Sequence, residues 1–280
     1  MSSNPINGTV FYKMSGSGND FVFVEGRNSP ISLWTPEAIQ AICRPHTGVG
    51  ADGLAIVEPG SKPGAIRLQY FNSDGGRASL CGNSALCATR LAAWLGLASA
   101  EGMTLESDAG THEARCLPGP GERAEVALGA SSAVSEPKVE LAGGEKMARL
   151  ATVGVPHLVV FVANLAAVDV QGRGRVLRNH PSLGTPGANV NFLAKDQAGS
   201  WAMRTYERGV EAETLACGTG ACASAAVVSE IGEASLPWLV RTASGAQLGV
   251  RRSGNGSGGS GSPLWLAGEG RMVFRGVLGS

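Results

Sequence analysis

Two segments of this chain begin with the same pair of residues and continue in a similar way. They read Cys81-Gly82-Asn83-Ser84-Ala85-Leu86-Cys87-Ala88 and, 136 residues later, Cys217-Gly218-Thr219-Gly220-Ala221-Cys222-Ala223. Each runs into an Ala-rich stretch that lacks strict alternation, Ala88 to Leu97 and Ala223 to Ile231. This composition predicts a buried helix rather than a strand. Each predicted helix ends near a glycine, Gly96 or Gly232.

The similarity extends to both sides of the two Cys-Gly pairs. A strand-like run that ends in a polar residue precedes each cysteine, Ile66 to Asn72 in the first copy and Trp201 to Glu207 in the second. A strand-turn pattern that ends in glycine follows each helix, Thr104 to Gly110 in the first copy and Leu239 to Gly245 in the second. Near the beginnings, Phe21 to Val24 matches Leu158 to Phe161. These matches share nearly one offset, so they predict two homologous α/β halves that meet near Gly129. The final strand-like run, Arg271 to Leu278, could pair with either half, and the Gly- and Ser-rich run Ser253 to Ser262 predicts a surface loop.

The overall composition restricts the class of partner. With 280 residues the chain is long enough for one large domain or two smaller ones. Hydrophobic residues make up 43%, and 23 basic side chains balance 23 acidic ones, so neither disorder nor binding to nucleic acid or an anionic membrane is expected. No apolar run approaches the roughly 20 residues of a membrane span, and the first residues lack the features of a signal peptide. We therefore expect a cytoplasmic protein that binds a small molecule.

The six cysteines do not form the pattern of a disulfide framework or of a metal site. A chain of this size does not need disulfides, and an intracellular chain keeps its thiols reduced. No Cys-x-x-Cys pair is present, and the spacings within the two repeated segments are too wide for zinc. We expect no metal. Four of the thiols are expected to be structural, because free cysteines are usually buried like small hydrophobic residues; these are Cys43, Cys87, Cys116 and Cys222.

A cysteine directly before a helix has specific chemical properties. The free backbone N–H groups and the dipole of the helix N-terminus bind an anion, and the same field lowers the pKa of the thiol. If two such helix starts faced each other, one carboxylate could bind to both sets of amides while the thiols flanked the carbon attached to it. This arrangement suits removal of a proton from one face and delivery to the other, which epimerises an amino acid without a pyridoxal lysine. Cys81 and Cys217 are the predicted acid/base pair.

The larger set of motifs resembles the diaminopimelate epimerase family. The matching blocks are Lys13 to Phe21, His46 to Val57, Phe71 to Gly75 leading to Cys81-Gly82-Asn83, and Tyr206 to Gly209 leading to Glu213 to Gly220. The resemblance implies inversion of L,L-diaminopimelate to the meso isomer, a precursor of lysine and peptidoglycan, with no cofactor. It also implies an α/β (α+β) fold of two pseudo-symmetric halves, each a mixed sheet wrapped around a central helix, with the active site in the cleft between them. The C-terminal strand would return to the first half, giving domains of residues 1–129 with about 268–280, and 130–267.

The resemblance also implies which residues meet the substrate. The carboxylate at the reacting centre would meet four backbone amides, those of Gly82, Asn83, Gly218 and Thr219. The distal end would meet Asn19, Asn72, Asn189 and Arg208, because a distal carboxylate needs a guanidinium and a distal ammonium needs acceptors. His157 and Glu207 would lie beside the reacting centre, where they bind the substrate amine or tune the cysteines. A homodimer is implied by the resemblance alone.

Two departures from the family pattern concern the distal end of the substrate. Val155 stands where Asn is common, and Gly53 stands where some members carry a polar side chain.

Three other functions remain open, namely a related two-cysteine racemase that acts on another amino acid, a thiol-redox protein and a non-catalytic amino-acid binder. Redox work would be expected to use Cys-x-x-Cys, which is absent.

Overall fold

The computed structural model describes residues 6–254 and 261–279. The chain divides into two compact units, Met1–Val126 with Gly268–Ser280, and Ala127–Ala267. Residues 255–260 of the predicted Gly- and Ser-rich loop lie outside the described residues. No helix among the described residues has both the length and the apolar character needed to cross a membrane.

The described part of the first unit contains eight strands and two α-helices, and a ninth strand comes from near the chain end. In chain order they are β1 (Val10–Gly16), β2 (Asn19–Glu25), α1 (Pro36–Cys43), β3 (Gly53–Pro59), β4 (Ala65–Asn72), β5 (Arg77–Ala78), α2 (Gly82–Trp94), β6 (Met103–Ser107), β7 (Gly110–Cys116), β8 (Arg123–Gly129) and β17 (Arg271–Val277).

The same order of elements recurs in the second unit. The elements are β9 (Glu145–Val153), β10 (Val155–Val162), α3 (Val170–Arg178), β11 (Asn189–Lys195), β12 (Trp201–Glu207), β13 (Ala212–Thr214), α4 (Gly218–Glu230), β14 (Trp238–Arg241), β15 (Gln247–Arg252) and β16 (Leu264–Glu269). The unit boundaries fall inside β8 and β16.

Strand pairing follows one scheme in both units. β1 and β2 are antiparallel, β2 and β3 parallel, β3 and β4 antiparallel, and β4 and β6 parallel. The pairs β9–β10, β10–β11, β11–β12 and β12–β14 have the same four orientations. β17 pairs with β1, so the last strand belongs to the first unit. The predicted fold class, two similar halves with mixed sheets, is therefore confirmed.

The helices that follow the two cysteines lie at the centre of their units. α2 and α4 each have 13 residues, and ten residues of each are buried. α2 contacts β1, β2, β3, β4, β6, β7 and β17, so the sheet surrounds it. Gly96 and Gly232 follow the helix ends with φ of +70° and +75°, the left-handed conformation that ends a helix at glycine. The sequence prediction of two buried helices ending near these glycines is confirmed.

Side-chain alternation determines which strand residues face the central helices. In β10, Leu158, Val160 and Val162 belong to an apolar cluster that also contains residues of α3. Successive side chains of a strand point to opposite faces, so His157 lies on the other face, where α4 contacts β10 and β11. Asn191 alternates with Val190 and is on this same face. Polar side chains of β10 and β11 are thereby brought to α4.

Candidate active site

Cys81 is the N-cap residue of α2. Its backbone is extended, with φ of −118° and ψ of 121°, and its side chain accepts no capping hydrogen bond from the first turn. The side chain is half-buried, whereas Gly82 and Asn83 behind it are buried. The first N–H groups of a helix have no intrahelical acceptor, so this helix start can bind an anion beside a thiol.

Cys217 occupies the equivalent position before α4. Its φ and ψ are −130° and 109°, and again the side chain does not cap the helix. The residue is 6% exposed, and Sγ lies 3.6 Å from Oγ1 of Thr219. A Cβ on Gly220 would lie 3.2 Å from this Sγ and 2.4 Å from Oδ1 of Asn191. Glycine is therefore required at position 220 for α4 to pack closely against its sheet.

In the first unit, Asn19 is held by polar partners on both sides of its amide. Its Nδ2 donates to Oδ2 of Asp52 at 2.9 Å, and its Oδ1 accepts from Nδ2 of Asn83 at 2.8 Å. Asn83 is the second residue of α2, so Asn19 is linked directly to the helix start that follows Cys81. Lys13, which is buried, forms an ion pair with Asp20 next to Asn19.

Asn72 is placed differently from Asn19. It is the last residue of β4 and is exposed. Its backbone N–H donates to the carbonyl of Gly76 and its own carbonyl accepts from the N–H of Gly75, both at 2.9 Å. The turn before β5 therefore fixes the backbone of Asn72, while its side chain is exposed at the end of β4.

In the second unit, three predicted residues meet where β11 and β12 adjoin. Oδ1 of Asn189 accepts a 2.7 Å hydrogen bond from the backbone N–H of Arg208, so the two residues are joined. Oε1 of Glu207 accepts a 2.6 Å hydrogen bond from Oγ1 of Thr214 on β13. The carboxylate of Glu207 and the guanidinium of Arg208 are both half-buried at the end of β12.

His157 is fully buried at the start of β10, in register with Asn189. Nδ1 of His157 lies 3.1 Å from Nδ2 of Asn191. Oδ1 of Asn191 in turn accepts a 3.0 Å hydrogen bond from Oγ1 of Thr205. Burial, together with the positive charge of Arg208, lowers the pKa of His157 from 6.5 to about 3. The imidazole is therefore neutral at physiological pH.

Two residues of these clusters were not predicted from the sequence, Asn191 and Asp52. Asn191 has an available signal, since Asn189-Val190-Asn191 places two polar side chains on one face of a strand that continues with the apolar run Phe192-Leu193-Ala194. Asp52 has a weaker one, because its role depends on Asn19, which lies 33 positions away in the chain.

The four remaining thiols all have raised pKa values. Burial raises the pKa of Cys43 and of Cys222 to about 12, and it raises the pKa of Cys87 well above 9.0. Cys116 is half-buried, and burial also raises its pKa. These four thiols stay protonated at neutral pH. Among residues 6–254 and 261–279, no group of three or more His, Cys, Asp or Glu side chains is arranged to bind a metal.

The two departures at the distal end have different structural settings. A Cβ on Gly53 would lie 2.5 Å from the carbonyl oxygen of Phe71 and 2.7 Å from Oη of Tyr70, so no side chain fits there without movement. Val155 is the first residue of β10 and is half-buried. Tyr70 thus fills the space that a side chain at position 53 would need.

Comparison with known proteins identifies relatives over nearly the whole chain. The family model described as diaminopimelate epimerase matches residues 11–134 and 149–256. A diaminopimelate epimerase of Gemmatimonas aurantiaca is 44% identical over 279 residues, which is 96% of this chain and 98% of that protein. Among solved structures, a PhzF-family phenazine biosynthesis protein of Bacillus anthracis matches with a TM-score of 0.74 at 15% identity, covering 96% of this chain and 98% of that one. A hydroxyproline epimerase of Agrobacterium vitis matches with a TM-score of 0.68 at 19% identity, covering 96% and 92%. At these identities the two structures support the fold alone.

Proposed function

The chain belongs to the diaminopimelate epimerase family, and from this premise we propose that it inverts one Cα centre of L,L-diaminopimelate to give the meso isomer without pyridoxal phosphate. The product is a precursor of lysine and of peptidoglycan. Such a reaction makes the protein an isomerase that uses two side chains as acid and base.

The observation that carries the proposal is the repeated placement of a cysteine at a helix N-cap. Cys81 and Cys217 precede the equivalent helices of two units with the same strand order, and each has an extended backbone. Each helix start offers backbone amides to a carboxylate and a positive field to a thiolate. None of the other four thiols stands at a helix N-cap, which supports assigning the chemistry to this pair: Cys87 and Cys222 lie inside helices, Cys43 ends α1 and Cys116 ends β7.

The proposed reaction conserves protons over a turnover. The thiolate of one cysteine takes the Cα proton, and the electron pair of the broken C–H bond spreads into the substrate carboxylate. The thiol of the other cysteine then gives its proton to the opposite face, so a new C–H bond forms and the roles of the thiols exchange. Backbone amides of Gly82, Asn83, Gly218 and Thr219 stabilise the charge that grows on the carboxylate.

We assign the distal amino-acid end to the four side chains that the family resemblance implied. Arg208 offers a guanidinium to the distal carboxylate, and Asn189 supports it through the 2.7 Å hydrogen bond to its backbone. Asn19 and Asn72 offer amide groups to the distal ammonium and carboxylate. Glu207, which is half-buried, binds the substrate amine at the reacting centre.

The reaction is tested by incubating reduced protein with L,L-diaminopimelate in deuterated water. Deuterium at Cα and the meso isomer should appear together in the wild type, and both should be lost in Cys81→Ser and in Cys217→Ser. Cys116→Ser is the matched control, because this half-buried thiol has no proposed role and should leave turnover unchanged.

Other outcomes identify the alternatives. Binding of L,L-diaminopimelate without any isotope exchange by the reduced wild type would contradict the proposed reaction and favour a binding protein. Exchange with proline, hydroxyproline or histidine but not with diaminopimelate would indicate a related racemase, with Gly53 and Val155 as the first positions to examine. Turnover that survives both Ser variants would contradict the assignment of the two thiols.

We also propose that the protein works in the cytoplasm as a homodimer. The reaction needs reduced thiols, which persist in a reducing compartment. β17 pairs with β1 and exposes Val273 by 46%, Phe274 by 47% and Val277 by 60%, which is a typical composition for a contact with a second copy. Light scattering should give the dimer mass for the wild type and the monomer mass for Val273→Glu. Val176→Glu, at a 59% exposed site on α3, should remain dimeric.

A further inference from the structure

The buried amide of Asn191 joins three elements of the second unit. Nδ2 lies 3.1 Å from Nδ1 of His157 on β10, and Oδ1 accepts a 3.0 Å hydrogen bond from Thr205 on β12. Oδ1 also packs against the first turn of α4, where a Cβ on Gly220 would lie 2.4 Å from it. Asn191 and His157 are 0% exposed, and Thr205 is 2% exposed. The amide is therefore held with its oxygen towards Thr205 and α4 and its NH₂ group towards His157.

This orientation decides which nitrogen of His157 carries the proton. An amide NH₂ group can only donate, so Nδ1 has to accept. A neutral imidazole has one donor and one acceptor nitrogen, which leaves the proton on Nε2. Nε2 is buried and has no hydrogen-bond partner among the described residues. Burial and the charge of Arg208 keep the ring neutral, with a pKa of about 3, so the second nitrogen does not also carry a proton.

On the basis of the function proposed above, we propose that Asn191 is a positioning residue that fixes His157 as the Nε2–H tautomer, so that at the reacting centre, where the family resemblance places it, the ring donates a hydrogen bond to an anionic group. In this state the ring cannot accept from the substrate ammonium and cannot take the Cα proton. The anion is either the thiolate of Cys217 or the reacting carboxylate, because both are stabilised by a fixed donor in a dry site.

The described residues of the first unit include no equivalent pair of a buried histidine and an orienting amide, so the two thiols have different surroundings. Strand register pairs Phe21 with Gly53 on β2 and β3, as it pairs His157 with Asn189 on β10 and β11. Phe21 therefore corresponds to His157, and the sequence match of Phe21 with Leu158 is displaced by one residue. Two residues further along β3, Ala55 stands at the position equivalent to Asn191. The pair of a buried histidine and its orienting amide is thus built on the Cys217 side only.

Nitrogen NMR of the histidine rings tests the tautomer directly. The chain has four histidines, and the signals of His157 are assigned from a His157→Gln sample. At pH 7 the wild type should show the Nε2–H tautomer. Asn191→Asp replaces the donating NH₂ group by an accepting oxygen and should convert the ring to Nδ1–H. Asn164→Asp, whose side chain caps Ala166 as an acceptor, is the matched control and should not change the tautomer.

The outcomes that would overturn the proposal are distinct from failure of the enzyme assay. An Nδ1–H or doubly protonated ring in the wild type overturns it without any variant. A variant Asn191→Asp that switches the tautomer but keeps its kcat/KM also overturns it, since kcat/KM should fall by about 10²-fold or more when a donor to the transition state is lost. A wild type with the Nε2–H tautomer but no isotope exchange contradicts the proposed function alone.

Alkylation of Cys217 without substrate, followed over pH by peptide mass spectrometry, identifies the anion. If Nε2–H donates to the thiolate, Asn191→Leu should shift the alkylation profile to higher pH. If it donates to the substrate carboxylate, the profile should stay in place and KM should rise. Equal profiles and equal KM would contradict a donor role for the ring.

Discussion

Replacing His157 by Asn should remove most of the acid sensitivity that this side chain gives the fold. Burial and the nearby charge of Arg208 lower the pKa of His157 from 6.5 to about 3, so between these values the unfolded chain binds a proton that the folded chain does not. Stability is then fully present above pH 6.5 and is lost as the pH falls towards 3. The slope reaches about 1.4 kcal/mol per pH unit. Between pH 7.5 and 5 the loss is about 2 kcal/mol.

Urea unfolding at constant ionic strength measures this difference. Asn is chosen because its Oδ1 can accept from Asn191 in place of Nδ1, and it does not titrate. The free energy of unfolding of the wild type should fall by about 2 kcal/mol more than that of His157→Asn between pH 7.5 and 5. The cavity left by the smaller side chain shifts the variant equally at both pH values. Parallel curves for the two proteins would refute the reasoning, because they would mean that His157 is protonated equally in the folded and unfolded states.

Three further predictions follow from close contacts and burial. Gly16→Ala should lower the free energy of unfolding, measured in urea, by about 1–3 kcal/mol, because the new Cβ would lie 2.7 Å from a backbone oxygen at the start of α2. The control Gly102→Ala should change this free energy little, because no atom lies within 4 Å of its Cβ. Asn189→Ala should lower the free energy of unfolding by about 1 kcal/mol, since the backbone N–H of Arg208 loses its acceptor. It should also raise KM more than it lowers kcat. An unchanged KM would contradict the proposal that Asn189 supports Arg208. Iodoacetamide at pH 8 should label Cys81 before the buried thiols, as read by peptide mass spectrometry, and the reverse order would contradict the reactivity inferred for the helix start. Burial raises the pKa of three of these thiols, Cys43, Cys87 and Cys222.

The fold was predictable from the repeated segments because their helices and helix ends depend on the local sequence. Ala-rich runs after Cys-Gly form buried helices wherever small residues allow close packing, and a glycine ends each helix by adopting positive φ. The offset between the copies then predicted two similar halves, and the common pairing scheme of the strands agrees with that prediction. The roles of Cys81 and Cys217 in the reaction stay predictions, supported by their N-cap positions.

The contacts that orient the predicted residues depend on strands that are distant in the sequence. Asn191, which holds His157 across two paired strands, and Asp52, which holds Asn19, were not predicted as site residues, because the residues they orient lie more than 30 positions away in the chain. The requirement for glycine at position 220 also appears only when β11 packs under α4. By itself the sequence determined the repeat, the two helix starts and the family, because these depend on short spacings and local propensity. Only the tertiary structure decided which buried donors face which acceptors, because a hydrogen bond depends on side chains that sheet register and helix packing bring within about 3 Å of each other.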